Sequence, residues 1–358
     1  MYRIKLVVLL FAISNLFSST DDDYEIISVV SKIPKSADTV ISSADKIDKT
    51  FLRNSQSKDL TSLLRENLAL DTSSNGGIGQ LSSVFLRGTN SNHMLVKVNG
   101  VKINPSTAGG ASIYNLDTEL INSVEIGYGP LSSVHGSAAI GGVMNISTKP
   151  IERVSNYKIG IHGGPDNYQK ELLSFNYGFS ENIFTSFSGS STKTDGFPAL
   201  SNSQLDRAYD NYTVISSIDL SMNIFDLDFS SWKASGEIEY LVFGAPVSQD
   251  YENSAYGMTL SQSLGKESIN KLSISASEDI IKQNNPNFLG LLDLTKTKRD
   301  NLELSLIRNK SSKVVRFYNF GLDAEEEDVD YSSYGTTYRE KIRTNSIFGS
   351  LGLNLYEN

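Results

Sequence analysis

A chain of 358 residues with a net charge of −9 and 39% hydrophobic residues is long enough for two domains with separate cores. The acidic balance argues against a nucleic-acid partner, whose phosphates call for clustered lysine and arginine. The absence of cysteine excludes disulfide scaffolds, thiolate zinc sites and thiol catalysis, and His93, His135 and His162 lie too far apart for a local metal motif.

The chain opens with MYRIKLVVLLFAISNLFSST. Arg3 and Lys5 precede an apolar run from Leu6 to Phe17, broken only by Ser14 and Asn15, and the small residues Ser18 to Thr20 end it. That order describes a secretory signal peptide over residues 1–20. The run is shorter than the roughly 20 residues a membrane-spanning helix requires. Residues 21–45 are polar and read as a linker with one apolar island, EIISVV, at 25–30.

Residues 46–150 mix helical and strand patterns. SQSKDLTSLLRENLAL reads as a helix capped by Ser55 or Ser57, with Leu60, Leu63, Leu64 and Leu68 on one face. SSVFLRG and HMLVKVNGVKIN read as strands, the second folded back at Asn99-Gly100, a strong two-residue hairpin signal. DTELINSVEIGYG reads as a short helix capped by Asp117 that runs into a strand, and GGVMNISTK as a last strand. Together they make a small α+β domain.

Residues 151–358 change texture. Apolar residues alternate at Leu173, Phe175 and Tyr177, at Ile218, Leu220 and Met222, and at Leu272, Ile274 and Ala276. They do so again at Leu302, Leu304 and Leu306 and from Ile347 to Leu355, with Ser, Asn, Asp, Lys and Glu between them. About ten such segments fit either a half-buried soluble sheet or the strands of a membrane barrel. The signal peptide and the 17 Tyr and 16 Phe favour the barrel. So does the contrast between long polar stretches, such as KTDGFPALSNSQLDRAYDNY, and tight turns such as GGPDNY.

No catalytic motif survives inspection. Gly136 to Gly141 has the gap of a phosphate loop, but Gly142 stands in place of the essential lysine and Val143 in place of Ser or Thr. GYGPLS misses the third glycine of a dinucleotide fingerprint, and no G-x-S-x-G elbow occurs. The chain is read as a non-enzyme.

One stretch is more specific. Phe85-Leu86-Arg87-Gly88, the Asn99-Gly100 hairpin, Leu120-Ile121 through Val124-Glu125-Ile126, Gly129-Pro130, Gly136 and Ala139 to Ile146 occur in a fixed order over more than 70 residues. This stretch resembles the plug domain of TonB-dependent outer-membrane receptors, the cobalamin receptors most of all. The resemblance implies an α+β plug domain at 46–150, followed by an antiparallel transmembrane β-barrel. Residues 151–358 would supply its N-terminal part, about ten of roughly 22 strands, so the chain is expected to be a piece of a longer receptor. Tyr128, Asn99 and His135 stand where the family usually has Arg, Asp and Tyr.

The resemblance also implies roles. Glu25, Ile26, Ile27, Ser28, Val29 and Val30 occupy the place of the TonB box, which joins the TonB energising complex by strand addition. Gln80, Leu81, Ser82 and Ser83 match one plug tip that touches ligand, and Asn104 opens the other. Arg87, Gly88, Gly129, Pro130, Gly136, Gly141 and Gly142 are expected to turn the plug and pack it on the barrel wall. Asp195, Asp206 and Asp210 fall where the cobalamin receptors gather calcium ligands, so Ca²⁺ is the one metal expected; no other cofactor is required. The function implied is active uptake, by a monomer in the cell outer membrane and its lipid, of a large scarce small-molecule ligand such as cobalamin or a metal chelate. A siderophore receptor and a secreted β-rich binding protein without transport activity are the alternatives.

Overall fold

The computed structural model describes residues 26–30, 32, 35–36, 43–55, 57, 59–65, 70–107, 110–198, 203, 205–242, 245–265, 267–284, 292–309, 315–333 and 335–353. The signal peptide and Glu25 lie outside them. Two short strands, β1 (Ile26–Ile27) and β2 (Lys35–Ser36), pair antiparallel. The plug follows with β3 (Ala44–Ile47), α1 (Lys49–Asn54), α2 (Leu60–Arg65), β4 (Leu70–Ser74), β5 (Ser82–Leu86), β6 (Met94–Val98) and β7 (Val101–Lys102). It ends with β8 (Ser123–Tyr128), α3 (Ser132–His135) and β9 (Gly142–Ser147).

Five of these strands form one sheet in the order β3-β8-β9-β6-β7, in which β6 and β9 run parallel and the other neighbours antiparallel. β4 and β5 pair separately. Leu60, Leu63 and Leu64 on α2, Val124 and Ile126 on β8, and Met144 and Ile146 on β9 are wholly buried and make the plug core. Asn99 (φ 50°) and Gly100 (φ 86°) both take positive φ, as the tight hairpin turn demands.

Three local readings are corrected. The cap of α2 is Asp59, whose carboxylate accepts from the Ser62 amide (2.8 Å) and hydroxyl (2.7 Å), because the helix begins later than Ser55 or Ser57 would place it. A second helix, α1, precedes it on its own cap, Asp48. Asp117 caps a single 3₁₀ turn at Thr118–Leu120 rather than an α-helix.

The wall is a ten-stranded antiparallel sheet in which each strand pairs with the next in sequence. Its strands are β10 (Asn156–Gly163), β11 (Gln169–Ser180), β12 (Ile183–Thr194), β13 (Tyr209–Met222) and β14 (Phe225–Val242). They continue with β15 (Ala245–Ser263), β16 (Ser268–Asn284), β17 (Leu292–Asn309), β18 (Val315–Ser333) and β19 (Thr336–Leu353). Among the described residues β10 and β19 are the two edges.

The alternation along each strand separates two environments. Facing away from the plug are Leu173, Phe175, Tyr177, Tyr256, Met258, Ile274, Leu302 and Phe320, all more than 40% exposed. Facing the plug are Lys170, Asn211, Ser230, Asn253, Asp279, Arg299 and Glu327, all buried. A soluble sheet would bury the first set; a transmembrane wall presents it to lipid. β14 to β19 have 17 to 19 residues each, where about ten suffice to cross a bilayer. The excess carries outward ion pairs instead of apolar residues: Lys233 with Glu252 (2.7 Å), Lys296 with Glu278 (2.6 Å) and Arg343 with Glu326 (2.7 Å). The strands therefore project past the apolar belt on the side of the ion pairs.

The glycine-rich stretch also departs from expectation. Gly141 and Gly142 pack inside the plug and not on the wall. A Cβ on Gly141 would stand 2.4 Å from the Thr89 hydroxyl, and one on Gly142 would stand 2.2 Å from Leu86 Cδ2 and 2.4 Å from the Gly127 carbonyl. Gly88, Gly129 and Gly136 meet nothing within 4 Å and serve as turns, and Pro130 is exposed. Arg87 is also exposed, its guanidinium 4.5 Å above the Tyr128 ring and 3.2 Å from the Ser43 hydroxyl. Because Gly142 also has φ 156°, Gly142→Ala is expected to destabilise the plug by roughly 3 kcal/mol. Hydrogen exchange of the β6 and β9 amides in the detergent-solubilised protein measures this, with the wall strands unaffected.

Candidate functional site

The plug and wall meet along a polar seam. On β11, Lys170 reaches Asp117 (2.6 Å) and Glu119 (3.0 Å) of the plug. Burial pulls the Glu119 carboxyl up, but Lys158 and Lys170 outweigh it and hold its pKa down at about 2. On β17, Arg299 donates to the Asn104 carbonyl (2.9 Å) of the plug and to Glu327 on β18 (2.6 Å). Lys102 pairs with Glu325 (2.9 Å). Between these anchors, Asn115 donates to Asn253 (2.8 Å), Ser112 donates to Asp279 (3.0 Å), and Asn211 donates to the Asn115 carbonyl (3.3 Å). Apolar contact forms two patches: Leu172, Ile215, Trp232, Ala234 and Ala255 of the wall join the plug core, and Tyr209, Ile238 and Tyr251 of the wall enclose Tyr114 of the plug. Gly79 (φ 76°) lies so close beneath Tyr209 that a Cβ would stand 2.1 Å from the ring.

At one end of this seam the segment 26–30 lies docked on the plug. The Glu125 carboxylate on β8 accepts from the Ser28 amide (3.0 Å), the Ser28 hydroxyl (3.1 Å) and the Val29 amide (3.2 Å). Val29 is buried against Leu95, Leu131, Ala139 and Val143, with Val30 packed alongside. The Val29 carbonyl lies 2.7 Å from His135 Nε2. A carbonyl only accepts, so Nε2 carries the hydrogen and Nδ1 is left to accept from Lys97 Nζ at 3.4 Å. Burial, then Lys97 and Lys32, lower the His135 pKa to about 2, and burial with Lys32 lowers Lys97 to about 8. Just beyond, Lys32 bridges to Glu303 on the wall (2.7 Å) and sits 4.0 Å over the Phe348 ring.

The residues expected to touch ligand divide. Leu81 is 58% exposed and Ser83 half-buried. Gln80 is buried and donates to the Glu239 carbonyl (2.9 Å), which makes it a seam residue. Ser82 is turned inward to Ser74 and the Gln80 carbonyl. The Asn104 amide is spent on β6, accepting from the Val96 amide (2.7 Å) and donating to the Met94 carbonyl (2.9 Å).

The expected calcium ligands are not gathered. Asp195 accepts from the Asn167 side chain, Asp210 stands opposite Lys193 in the β12–β13 register, and Asp206 is exposed. Among the described residues no group of three or more His, Asp or Glu is placed to hold a metal. Glu125 and His135 are named in the sequence only as part of the resemblance, without these contacts, and Lys170 and Arg299 are not singled out there at all. The only available signal was a charge at an inward position of an alternating strand, which does not reveal its partner.

Hydrogen bonds to a charged acceptor contribute about 1.5–3 kcal/mol each. Glu125→Ala is therefore expected to speed exchange of the Ser28 and Val29 amides at least tenfold, and Glu125→Gln by less. The histidine supplies a pH dependence. Burial first, then Lys97 and Lys32, hold its pKa below the ordinary 6.5 in the folded chain, so the packing around it is fully favoured above 6.5 and weakens as pH falls below it. Exchange of the Val29 amide, corrected for its intrinsic rate, is expected to rise between pH 6.5 and 5 and to flatten in His135→Phe.

Comparison with known proteins bears on the assignment. The TonB-dependent Receptor Plug Domain family matches residues 36–143. The vitamin B12 transporter BtuB of Vibrio vulnificus strain YJ016 is 29% identical over 245 residues, which are 67% of this chain and 40% of that protein. Its counterpart in strain CMCP6 is 34% identical over 158 residues, 44% of this chain and 26% of that protein. The chain thus spans less than half the length of these relatives. Among solved structures, a variant of the ferric enterobactin receptor PfeA from Pseudomonas aeruginosa has a TM-score of 0.67 at 14% identity, covering 89% of this chain and 56% of that one. The siderophore receptor PirA from Acinetobacter baumannii has a TM-score of 0.64 at 15% identity, covering 87% and 54%. Identities this low speak for the fold alone. The plug match, the likeness of fold over most of this chain and the outward apolar face of the wall agree: residues 36–143 are similar to the TonB-dependent receptor plug, and the wall around them has the fold of the outer-membrane receptors that carry one.

Proposed function

We propose that the chain is the plug and first wall strands of a receptor for active uptake of a large scarce ligand, with cobalamin as the leading candidate and a metal chelate of similar size as the wider class. Residues 25–30 serve as the TonB box. The observation that carries this reading is the placement of residues 26–30. They offer a short extended strand, β1, and are held by a handful of polar contacts and one buried side chain, Val29. Such a segment exchanges readily for a partner strand. Release of Val29 would free the face of α3 and the Ala139 turn, and a pull on the chain would act next on Lys32 and the seam. Cobalamin is favoured because two relatives at 29% and 34% identity are named vitamin B12 transporters, whereas the siderophore receptors above share only the fold. The lipid-facing wall argues against a secreted soluble binding protein.

The test places the protein in the outer membrane of a strain that lacks its own cobalamin receptor and measures binding and uptake of labelled cyanocobalamin. Saturable binding with uptake that stops when TonB is absent is expected. Ile27→Pro, which removes a strand amide, should keep the binding and abolish the uptake. Binding of ferric siderophores in place of cyanocobalamin would overturn the ligand, and uptake indifferent to TonB would overturn the mechanism.

A further inference from the structure

A cavity of about 350 Å³ lies at the end of the seam away from the docked segment. Its floor is the plug loop 74–78 and helix α2, and its sides are the β10–β11 and β12–β13 connections, with Tyr168, Phe197 and Ile78 as its apolar lining. The distance from the docked segment follows from the register. Glu303, which holds Lys32, aligns through Ser273, Thr259 and Asp228 with Asp219 near the far end of β13. Tyr209, next to the cavity residue Arg207, begins that strand, about ten residues or roughly 33 Å away along it. The cavity therefore opens at the end of the wall that carries the long β12–β13 connection, with the tight β10–β11 turn, GGPDNY, on the same side.

Arg207 is the feature that the plug and wall leave unexplained. It is only 8% exposed, and its Nη1 donates to the Asn75 carbonyl at 2.6 Å. Its Nε is buried with no hydrogen bond, and among the described residues no carboxylate pairs with it. Among the described residues the other two buried cations of the wall, Lys170 and Arg299, each have a carboxylate. A buried guanidinium without a counter-charge is costly, and its planar fork fits an oxyanion. Arg65 lines the same cavity, its Nε on the Thr72 hydroxyl at 3.0 Å. Two carboxylates, Asp59 and Asp166, also line it, but Asp59 spends its oxygens on Ser62.

We propose that this cavity is an oxyanion subsite, in which Arg207, assisted by Arg65, receives a phosphate or carboxylate group of the incoming ligand while Tyr168 and Phe197 cover the atoms beside it. The proposal rests on the uptake reading only in taking this end of the seam as the ligand's entrance. The subsite itself is independent of which ligand is carried.

Calorimetric titration of the detergent-solubilised protein with inorganic phosphate and, separately, with citrate, at ionic strength held constant with chloride, tests it. One saturable site is expected for at least one of the two probes. Response to phosphate alone assigns a phosphate group, and response to citrate alone assigns a carboxylate. Arg207→Gln should weaken the site at least tenfold, Arg207→Lys severalfold through loss of the fork, and Arg65→Gln by a smaller factor. Hydrogen exchange of the β4 and β5 amides reports whether the plug loop keeps its place. If Arg207→Gln loosens it, Arg207→Lys decides. Absence of a saturable site for both probes in the unaltered protein, or undiminished binding in the Arg207 variants, overturns the proposal. Neither result depends on TonB or on cobalamin, so failure of the uptake reading is seen separately.

Discussion

A membrane wall that turns most of its apolar side chains outward is left with mainly polar ones to face its contents, and that constraint shapes the rest of this molecule. Hydrophobic burial organises the plug from within, through α2 and the five-stranded sheet, and organises the wall from without, through lipid. Between the two, apolar surface is buried in two patches, one around Trp232 and one where Tyr209 and Tyr251 meet Tyr114. The junction is made by charge pairs and amide bonds, each specific in direction and each needing a partner at the right height. Lys170 and Arg299 set that height at two separated places. A junction of this kind fixes position well, yet contributes little net free energy, because every group in it was hydrogen-bonded to water before folding.

The docked segment follows the same logic on a smaller scale. One carboxylate, Glu125, takes three donors from two successive residues, and one imidazole takes the remaining carbonyl. Burial, with Lys97 behind it, keeps the His135 ring neutral, so that Nε2 donates to the carbonyl while Nδ1 accepts. Below the segment, Gly127 leaves space for Val29 and Val30: a Cβ there would stand 3.3 Å from each valine. The segment is thus seated by shape and by directional bonds on the plug sheet, and among the described residues its own strand β1 pairs with the two-residue β2 alone.

How much of this the sequence reveals depends on the range of the cause. The Asn99-Gly100 turn, the β9 strand and the alternation of the wall are local, set by φ preference and by period, and they stand in the structure where the residues place them. Asp59 as the α2 cap is also local, and was misplaced because the serines upstream are equally good caps and only packing fixes where the helix starts. The glycines at 141 and 142 show the limit: their composition announces a close approach, but what approaches is Thr89, Leu86 and Gly127, which no local pattern identifies. The seam is farther still from reach. Nothing near Lys170 in the chain indicates that its partners are Asp117 and Glu119, because the pairing exists only once the plug is inside the wall.

The two kinds of contact also divide the labour of movement. Pulling a β-sheet apart breaks a ladder all at once, whereas a seam of isolated pairs yields one pair at a time, each replaced by water as it opens. The plug core is continuous and dry, while the seam is discontinuous and polar, so a force applied at residue 30 meets weak points in order: the Glu125 bonds, the Lys32 bridge, then the pairs along β16 to β18. Only after these would the five-stranded sheet be loaded. A plug built this way can shift or partly unfold at its margins while its core survives, and the glycine packing at β9, which locks β8 to β9 and to Leu86, marks where that core begins.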